Sequence, residues 1–170
     1  MDFNVETTNL DGVYKVYLEK YFDDRGKIVN LLDYHPHGEK YLLNKLTISK
    51  KNVLRGLHGD AINDKLIYCI RGKFKLIVVN YDQNHAQFLQ KSYFDMDEQS
   101  DFAVFVPKGF LNGHYNLEDN TYFYYKWSSG YVPADQQISV NWNSPSLALD
   151  WNLTDSQPHL SDRDKNAKLI

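Results

Sequence analysis

A single cysteine, Cys69, stands among 170 residues, so no intrachain disulfide holds this chain together. It lies in the apolar run Leu66–Ile70, which predicts a buried, inert thiol. A basic excess is also missing: 19 lysines and arginines face 22 acidic residues, for a net charge of −3. With no block of five like charges, a nucleic-acid groove is excluded as an expectation. No apolar stretch approaches the roughly 20 residues that span a bilayer, which argues against a membrane partner. The opening residues lack a basic segment followed by an apolar one, so no signal peptide is expected and the cytoplasm is the expected location. Low-complexity tracts, repeats and linkers are likewise lacking, and the expectation is one domain over residues 1–170. Aromatic residues are not scarce. Thirteen Tyr, nine Phe and three Trp make up 15% of the chain, which favours β-structure over a helical bundle.

The pattern that recurs is a short β-type run closed by turn residues. Val13–Tyr21 reads as a strand, ended by Asp23, Asp24, Arg25 and Gly26, with Ile28–Leu32 returning as a hairpin. Residues 34–38, which include His35 and His37, read as a loop with no metal role. Leu42–Ser49 alternates, with Leu42, Asn44, Leu46 and Ile48 on one parity. Lys65–Val79 reads as two strands joined by a tight turn at Gly72. Phe102–Val106 and Thr121–Trp127 are further strands, and Ser161–Lys168 is the one helical candidate. Many strands and little helix predict an all-β sandwich or barrel, the jelly roll among the options.

Chemistry concentrates in two segments. Arg55-Gly-Leu-His-Gly-Asp60 is followed by Lys65, seven residues after His58, and then by Gly72. Pro107-Lys-Gly-Phe-Leu-Asn112 is followed by Asn116, four residues on. This spacing resembles the two cupin motifs. Metal cupins carry three His and one Glu at positions that here read His58, Asp60, Lys65 and Asn112. An ammonium cannot ligate a metal and repels a divalent ion, so no metal and no other cofactor is expected. What remains is a base, a cation and small polar groups in a barrel mouth, a set suited to proton chemistry.

A wider set of motifs resembles the dTDP-4-dehydrorhamnose 3,5-epimerase family, metal-free cupin jelly rolls that act on nucleotide 4-keto sugars. It comprises Asp24-Arg25-Gly26, Val53-Leu-Arg-Gly-Leu-His58, Lys65-Leu-Ile, Val106-Pro-Lys-Gly-Phe110, Tyr125-Lys126, Tyr131-Val-Pro133, Leu149-Asp-Trp151 and Leu160-Ser-Asp-Arg-Asp164. The resemblance implies His58 as the base that removes a proton beside the keto group. It implies Asp164 as the carboxylate that orients His58, Tyr125 as the acid on the opposite face, and Lys65 as the cation at the enolate oxygen. Arg25 and Arg55 match the arginines that hold the diphosphate and nucleotide. Asn30, Asn112, His114 and Tyr131 fall at substrate-binding positions. The family also implies a homodimer in which an N-terminal strand, here taken as Val13–Tyr21, crosses to the partner's sheet, and a role in surface-polysaccharide precursor synthesis.

The chain departs from the family at defined places. Gly59 and Asp60 replace an aromatic and Gln after His58, Asn112 replaces a His, and His114 replaces an aromatic. Asn30 replaces a Glu, and Leu43 and Lys45 replace Gln and Asn. The proton-transfer set is kept while the sugar contacts change. The expectation is therefore an epimerase inverting C3, C5 or both, on a TDP-, GDP- or CDP-linked 4-keto deoxyhexose or heptose. Two alternatives stay open: a 3,4-ketoisomerase of the same fold, and a relative that binds a nucleotide sugar without turnover.

Overall fold

The computed structural model describes residues 4–33, 38, 40–154 and 157–170; the expected loop with His35 and His37 lies outside them apart from Gly38. Thirteen strands and one short helix are defined among these residues. The strands are β1 (Val5–Thr7), β2 (Tyr14–Tyr17), β3 (Lys20–Asp23), β4 (Gly26–Val29), β5 (Leu43–Ser49), β6 (Leu54–Gly59) and β7 (Lys65–Arg71). They continue as β8 (Lys73–Asn80), β9 (Lys91–Asp97), β10 (Phe102–Val106), β11 (Phe110–Asn116), β12 (Thr121–Trp127) and β13 (Ile138–Ser139), before helix α1 (Asp162–Lys165). One sheet runs β1-β2-β10-β7-β12-β5, the other β13-β6-β11-β8-β9, and β3 pairs only with β4. All pairings of these strands are antiparallel. This is the jelly-roll arrangement the cupin spacing predicts.

Period-two alternation explains the layers. On β8, Phe74, Leu76 and Val78 join Ile67, Val104, Val106 and Phe123 from the facing sheet in the core between the sheets. The other parity of β8, Ile77 and Val79, packs outward under Leu147, Trp151 and Val140 from the C-terminal segment. On β7, Leu66 and Tyr68 pack outward with Val16, Ala103 and Phe105. The central strands are therefore buried on both faces, which is why they read as unbroken apolar runs.

Three readings need correction, and β5 gains a facing that its alternation alone does not give. The turn at Gly72 does not close a hairpin: β7 and β8 belong to different sheets, and the turn carries the chain across. Gly72 has φ +75°, in the region that favours glycine. Val13–Tyr21 is two strands in different sheets: the Leu18 amide still donates to the Asp101 carbonyl (2.8 Å) in register with β10, and from Lys20 the chain pairs with β4 instead. Its first part, β2, already lies between β1 and β10 in its own sheet and has no free edge to offer a partner. On β5 and at Leu42 just before it the apolar parity faces out, with Leu42 70%, Leu46 50% and Ile48 54% exposed, while Lys45 and Thr47 point inward. The Cys69 thiol is half-buried, and burial pushes its pKa up to about 12, so it stays protonated.

A close backbone approach sets the geometry where β6 meets β11. At Gly56, with φ +133°, an added Cβ would lie 2.5 Å from Gly113 Cα. This contact coincides with the register shift between Asn112 and His114 against β6. Gly59 is as confined, since a Cβ there would lie 2.3 Å from the Phe110 carbonyl oxygen, so an aromatic at this position has no room. Gly56→Ala should lower unfolding free energy by about 2–3 kcal/mol through backbone strain and overpacking. Urea denaturation checks this, and a loss under about 0.5 kcal/mol contradicts the stated packing.

Candidate active site

One end of the barrel is filled by the apolar core, and the other opens into a cavity of about 280 Å³. The six-stranded sheet supplies one wall through Lys45, Thr47, Lys65, Phe123, Tyr125 and Trp127. The five-stranded sheet supplies the other through Arg55, His58, Asn112 and His114. Segments after β12 and the helix close the rim with Tyr131, Gln137, Ser161, Arg163 and Asp164.

His58 sits near the end of β6, where β11 and β13 flank it at Asn112 and Ser139. Its Nε2–H donates to Asp164 Oδ1 at 2.6 Å. Asp164 is buried within α1, where Ser161 caps the helix by accepting from the Asp164 amide (3.2 Å). The Ser161 hydroxyl donates in turn to Asp164 Oδ2 (2.8 Å). Both carboxylate oxygens are thus occupied and the carboxylate cannot swing away from the imidazole. With Nε2 committed, Nδ1 is the nitrogen left to a substrate. Arg163, next in the chain to Asp164, donates to Ser139 Oγ (2.7 Å) and Gln137 Oε1 (3.2 Å), which ties α1 to β13 beside His58.

Lys65 begins β7 and is buried. Its ammonium donates to Asn112 Oδ1 (3.2 Å) and lies 3.7 Å from Asp60 Oδ2. Burial lowers its pKa to about 8, against the opposing pull of Asp60. Three of the four cupin ligand positions are therefore tied to one another through a lysine. Among the described residues, no group of three or more His, Cys, Asp or Glu side chains is placed to hold a metal ion.

Tyr125 belongs to β12, directly across from Lys45 of β5. Burial raises its pKa, Arg55 partly offsets that, and Tyr131 adds to it, so the phenol is neutral and able to donate. The Lys45 ammonium lies 4.2 Å from the Trp127 ring centroid and 4.5 Å from that of Tyr131, within cation–π reach. Tyr131 is exposed and stacks on Trp127 at the rim. Arg55 is exposed toward the mouth, with its Nε donating to Ser49 Oγ (3.2 Å).

Asn112 and His114, two residues apart on β11, share a parity and both line the cavity. His114 is 3% exposed, stacks on Phe123 with centroids 3.9 Å apart, and has an Nε2 with no hydrogen-bond partner. Thr47 Oγ1 and Trp127 Nε1, also on the cavity wall, are buried and unpartnered too. Three unpartnered polar atoms thus lie within the cavity's wall, each with almost no accessible surface of its own.

Arg25 and Asn30 are not brought into this cavity. Arg25 sits in the β3–β4 turn, with its side chain 83% exposed and paired to Asp23. Asn30 Nδ2 donates to Glu19 Oε2 (3.1 Å). Conversely, sequence reasoning gave no role to Arg163, Gln137, Thr47 or Phe123, and saw Lys45 only as a departure. Their signal is parity: Lys45 and Thr47 share a face of β5, and Phe123 shares one with Tyr125.

The sequence profile of the family described as dTDP-4-dehydrorhamnose 3,5-epimerase matches residues 7–170. The chain belongs to that family. A dTDP-4-dehydrorhamnose 3,5-epimerase of Methanothermobacter thermautotrophicus is 26% identical over 98% of this chain and 94% of its own. A dTDP-4-dehydro-6-deoxyglucose 3-epimerase of Streptomyces bikiniensis is 34% identical over 74% of this chain and 64% of its own. Among solved structures, the Legionella pneumophila 3,5-epimerase in complex with dTDP-4-keto-L-rhamnose superposes with a TM-score of 0.89, at 26% identity, covering 99% of this chain and 93% of the other. The fold is thus that of the cupin jelly-roll epimerases, an isomerase family. No described helix is long and apolar enough to cross a membrane.

His114 carries a measurable signature. Burial first, then Arg55 and His58, push its pKa down to about 3. The folded state therefore refuses a proton that the unfolded chain takes up below about pH 6.5. This stability is present above pH 6.5 and is lost as pH falls toward 3. His114→Phe should remove that loss, sparing about 2 kcal/mol between pH 6.5 and 4.5. Urea unfolding at the two pH values checks it, and equal slopes for both proteins would contradict a buried neutral imidazole.

Proposed function

We propose that this chain inverts C3, C5 or both of a 4-keto sugar linked to a nucleoside diphosphate, by removing and returning a proton through an enolate. The observation that carries the reading is the His58–Asp164 hydrogen bond at a cavity whose opposite wall holds Tyr125 and Lys65. The 4-keto group acidifies the neighbouring C–H bonds. His58 Nδ1 takes the proton from one face, and the electron pair of that bond moves onto the keto oxygen. The Lys65 ammonium stabilises the oxyanion. The Tyr125 phenol then gives a proton to the other face, so the carbon inverts. A family member from Streptomyces bikiniensis described as a 3'-monoepimerase has been crystallised with dTDP-quinovose, so inversion at one carbon alone occurs within the same fold.

Charge supports a diphosphate. Four cations, Lys45, Arg55, Lys65 and Arg163, face the carboxylates of Asp164 and, behind Lys65, Asp60, leaving two positive charges in surplus. A nucleotide-sugar diphosphate carries two negative charges. Proton transfer to His58 then creates a cation together with the enolate, so the site's charge does not change as the reaction proceeds. The replaced sugar contacts, Leu43, Lys45, Gly59, Asp60, Asn112 and His114, support a nucleotide sugar other than those of the dTDP relatives, with GDP- or CDP-linked deoxyhexoses and heptoses as the alternatives.

The cavity is small for a whole nucleotide sugar, which leaves the base to lie beyond the rim. A homodimer would supply more wall. Leu42 just before β5, Leu46 and Ile48 on it, and Tyr21, Phe22 and Ile28 on the β3–β4 hairpin are exposed apolar side chains that a second copy would cover. In that dimer Arg25 and Asn30 would act at the partner's cavity.

Incubation of dTDP-, GDP- and CDP-linked 4-keto sugars in deuterated water tests the reading. The expected result is deuterium at C3 or C5 with formation of the inverted isomer. His58→Asn should lower exchange by a factor of about 10³ or more. Tyr125→Phe should keep exchange at the same carbon but lose inversion. Absence of exchange with every substrate, or wild-type exchange in His58→Asn, contradicts the proposal.

A further inference from the structure

The residue after the Gly59 departure is a buried carboxylate for which the epimerase chemistry has no assigned use. Asp60 is 3% exposed. Its Oδ1 accepts from the Ile62 amide (3.1 Å), the Asn63 amide (2.7 Å) and Asn63 Nδ2 (3.0 Å). Its Oδ2 is buried with no hydrogen-bond partner, and lies 3.7 Å from the Lys65 ammonium. The loop hydrogen bonds thus fix one oxygen and leave the other facing the cation.

Lys65 needs that oxygen. It is 4% exposed, and its one hydrogen-bond partner among the described contacts is the neutral Asn112 amide. Apart from the π-face of Trp127, the groups around it oppose or do not help its charge. Lys45 from β5 and Arg163 from α1 repel it. The Trp127 ring of β12 lies 5.5 Å away and offers only its π-face. On β10 its sheet partner is the apolar Val106. His58 shares the cavity, and the Asp164 carboxylate is already taken by His58 and Ser161. Without a carboxylate, burial and two cations would favour the neutral amine.

We propose that Asp60 is a positioning residue that holds Lys65 protonated and aimed between the loop and Asn112, so that a full positive charge meets the keto oxygen. The consequence for the reaction rests on the function proposed above; the effect on Lys65 itself does not. Lys65 with a pKa of about 8 sits close to the point where it loses its charge. Removing the Asp60 charge moves that point downward, into the working range.

The test is Lys65 titration followed by NMR of 13Cε-labelled lysine, without substrate, in the wild type and in Asp60→Asn. The amide keeps an oxygen for the loop hydrogen bonds and removes only the charge. The expected midpoint falls by at least one pH unit in Asp60→Asn and returns in Asp60→Asn/Asn112→Asp, where the carboxylate stands on the other side of Lys65. An unchanged midpoint in Asp60→Asn overturns the proposal. In the wild type, the Asp60 13Cγ shift should change through the same midpoint as Lys65, a readout that holds if the variant does not fold; a flat Asp60 signal there also overturns it. In the exchange assay, the alkaline limb of kcat/KM should move down by the same amount in Asp60→Asn. In a Lys65→Arg background, where the cation cannot be lost, Asp60→Asn should leave the limb where it is. Lys65 titration that responds while no substrate exchanges would leave the Asp60–Lys65 coupling standing and reject the epimerase reading.

Discussion

The hydrogen bond from His58 to Asp164 joins residues 106 positions apart, and much of the site's geometry depends on it. Asp164 lies in a helix of four residues, too short to be stable by its own hydrogen bonds. Ser161 caps it, and Arg163 ties it to β13 through Ser139 and Gln137. The C-terminal segment reaches that place because it covers the outer face of the five-stranded sheet, with Val140, Leu147 and Trp151 packed on Ile77 and Val79. Apolar burial on one side of a sheet thus delivers a carboxylate to an imidazole at its edge. Loss of the carboxylate would leave His58 in place but free to rotate.

The second constraint is that a polar cavity shares a barrel with an apolar core. Alternation along the strands resolves it. The inward parity of β12 changes from Phe123, which is in the core, through Tyr125 to Trp127 at the mouth. The inward parity of β5 is polar, with Lys45 and Thr47, and its apolar parity is left facing outward. Lys65 and His114 are buried at the boundary, where one is held near the loss of its charge and the other is kept neutral. Burial there tunes protonation.

Much of this was legible in the sequence. Strands β10 and β12 were readable to the residue, because each is an apolar or aromatic run between turn signals. The cupin spacing placed His58, Lys65 and Asn112 together, and the family resemblance carried by Leu160–Asp164 implied the carboxylate that the structure sets beside His58. Other features were not legible. Alternation on β5 gives the parity but not the side that faces the cavity, and there the polar side turned inward. The Gly72 turn has hairpin composition, yet only the sheet order shows that it crosses between sheets. Arg25 and Asn30 carry a family signal, but no local pattern tells whether a residue serves its own cavity or another copy's.

Proton removal by His58 requires a bare Nδ1 facing the cavity while Nε2–H is held by Asp164. Long-range 1H–15N correlation of the imidazole at pH 8 measures this directly. The expected result is a protonated, pyrrole-like Nε2 and an unprotonated, pyridine-like Nδ1, with the two becoming mixed in Asp164→Asn. A wild-type His58 with its proton on Nδ1, or with both nitrogens averaging, would contradict it.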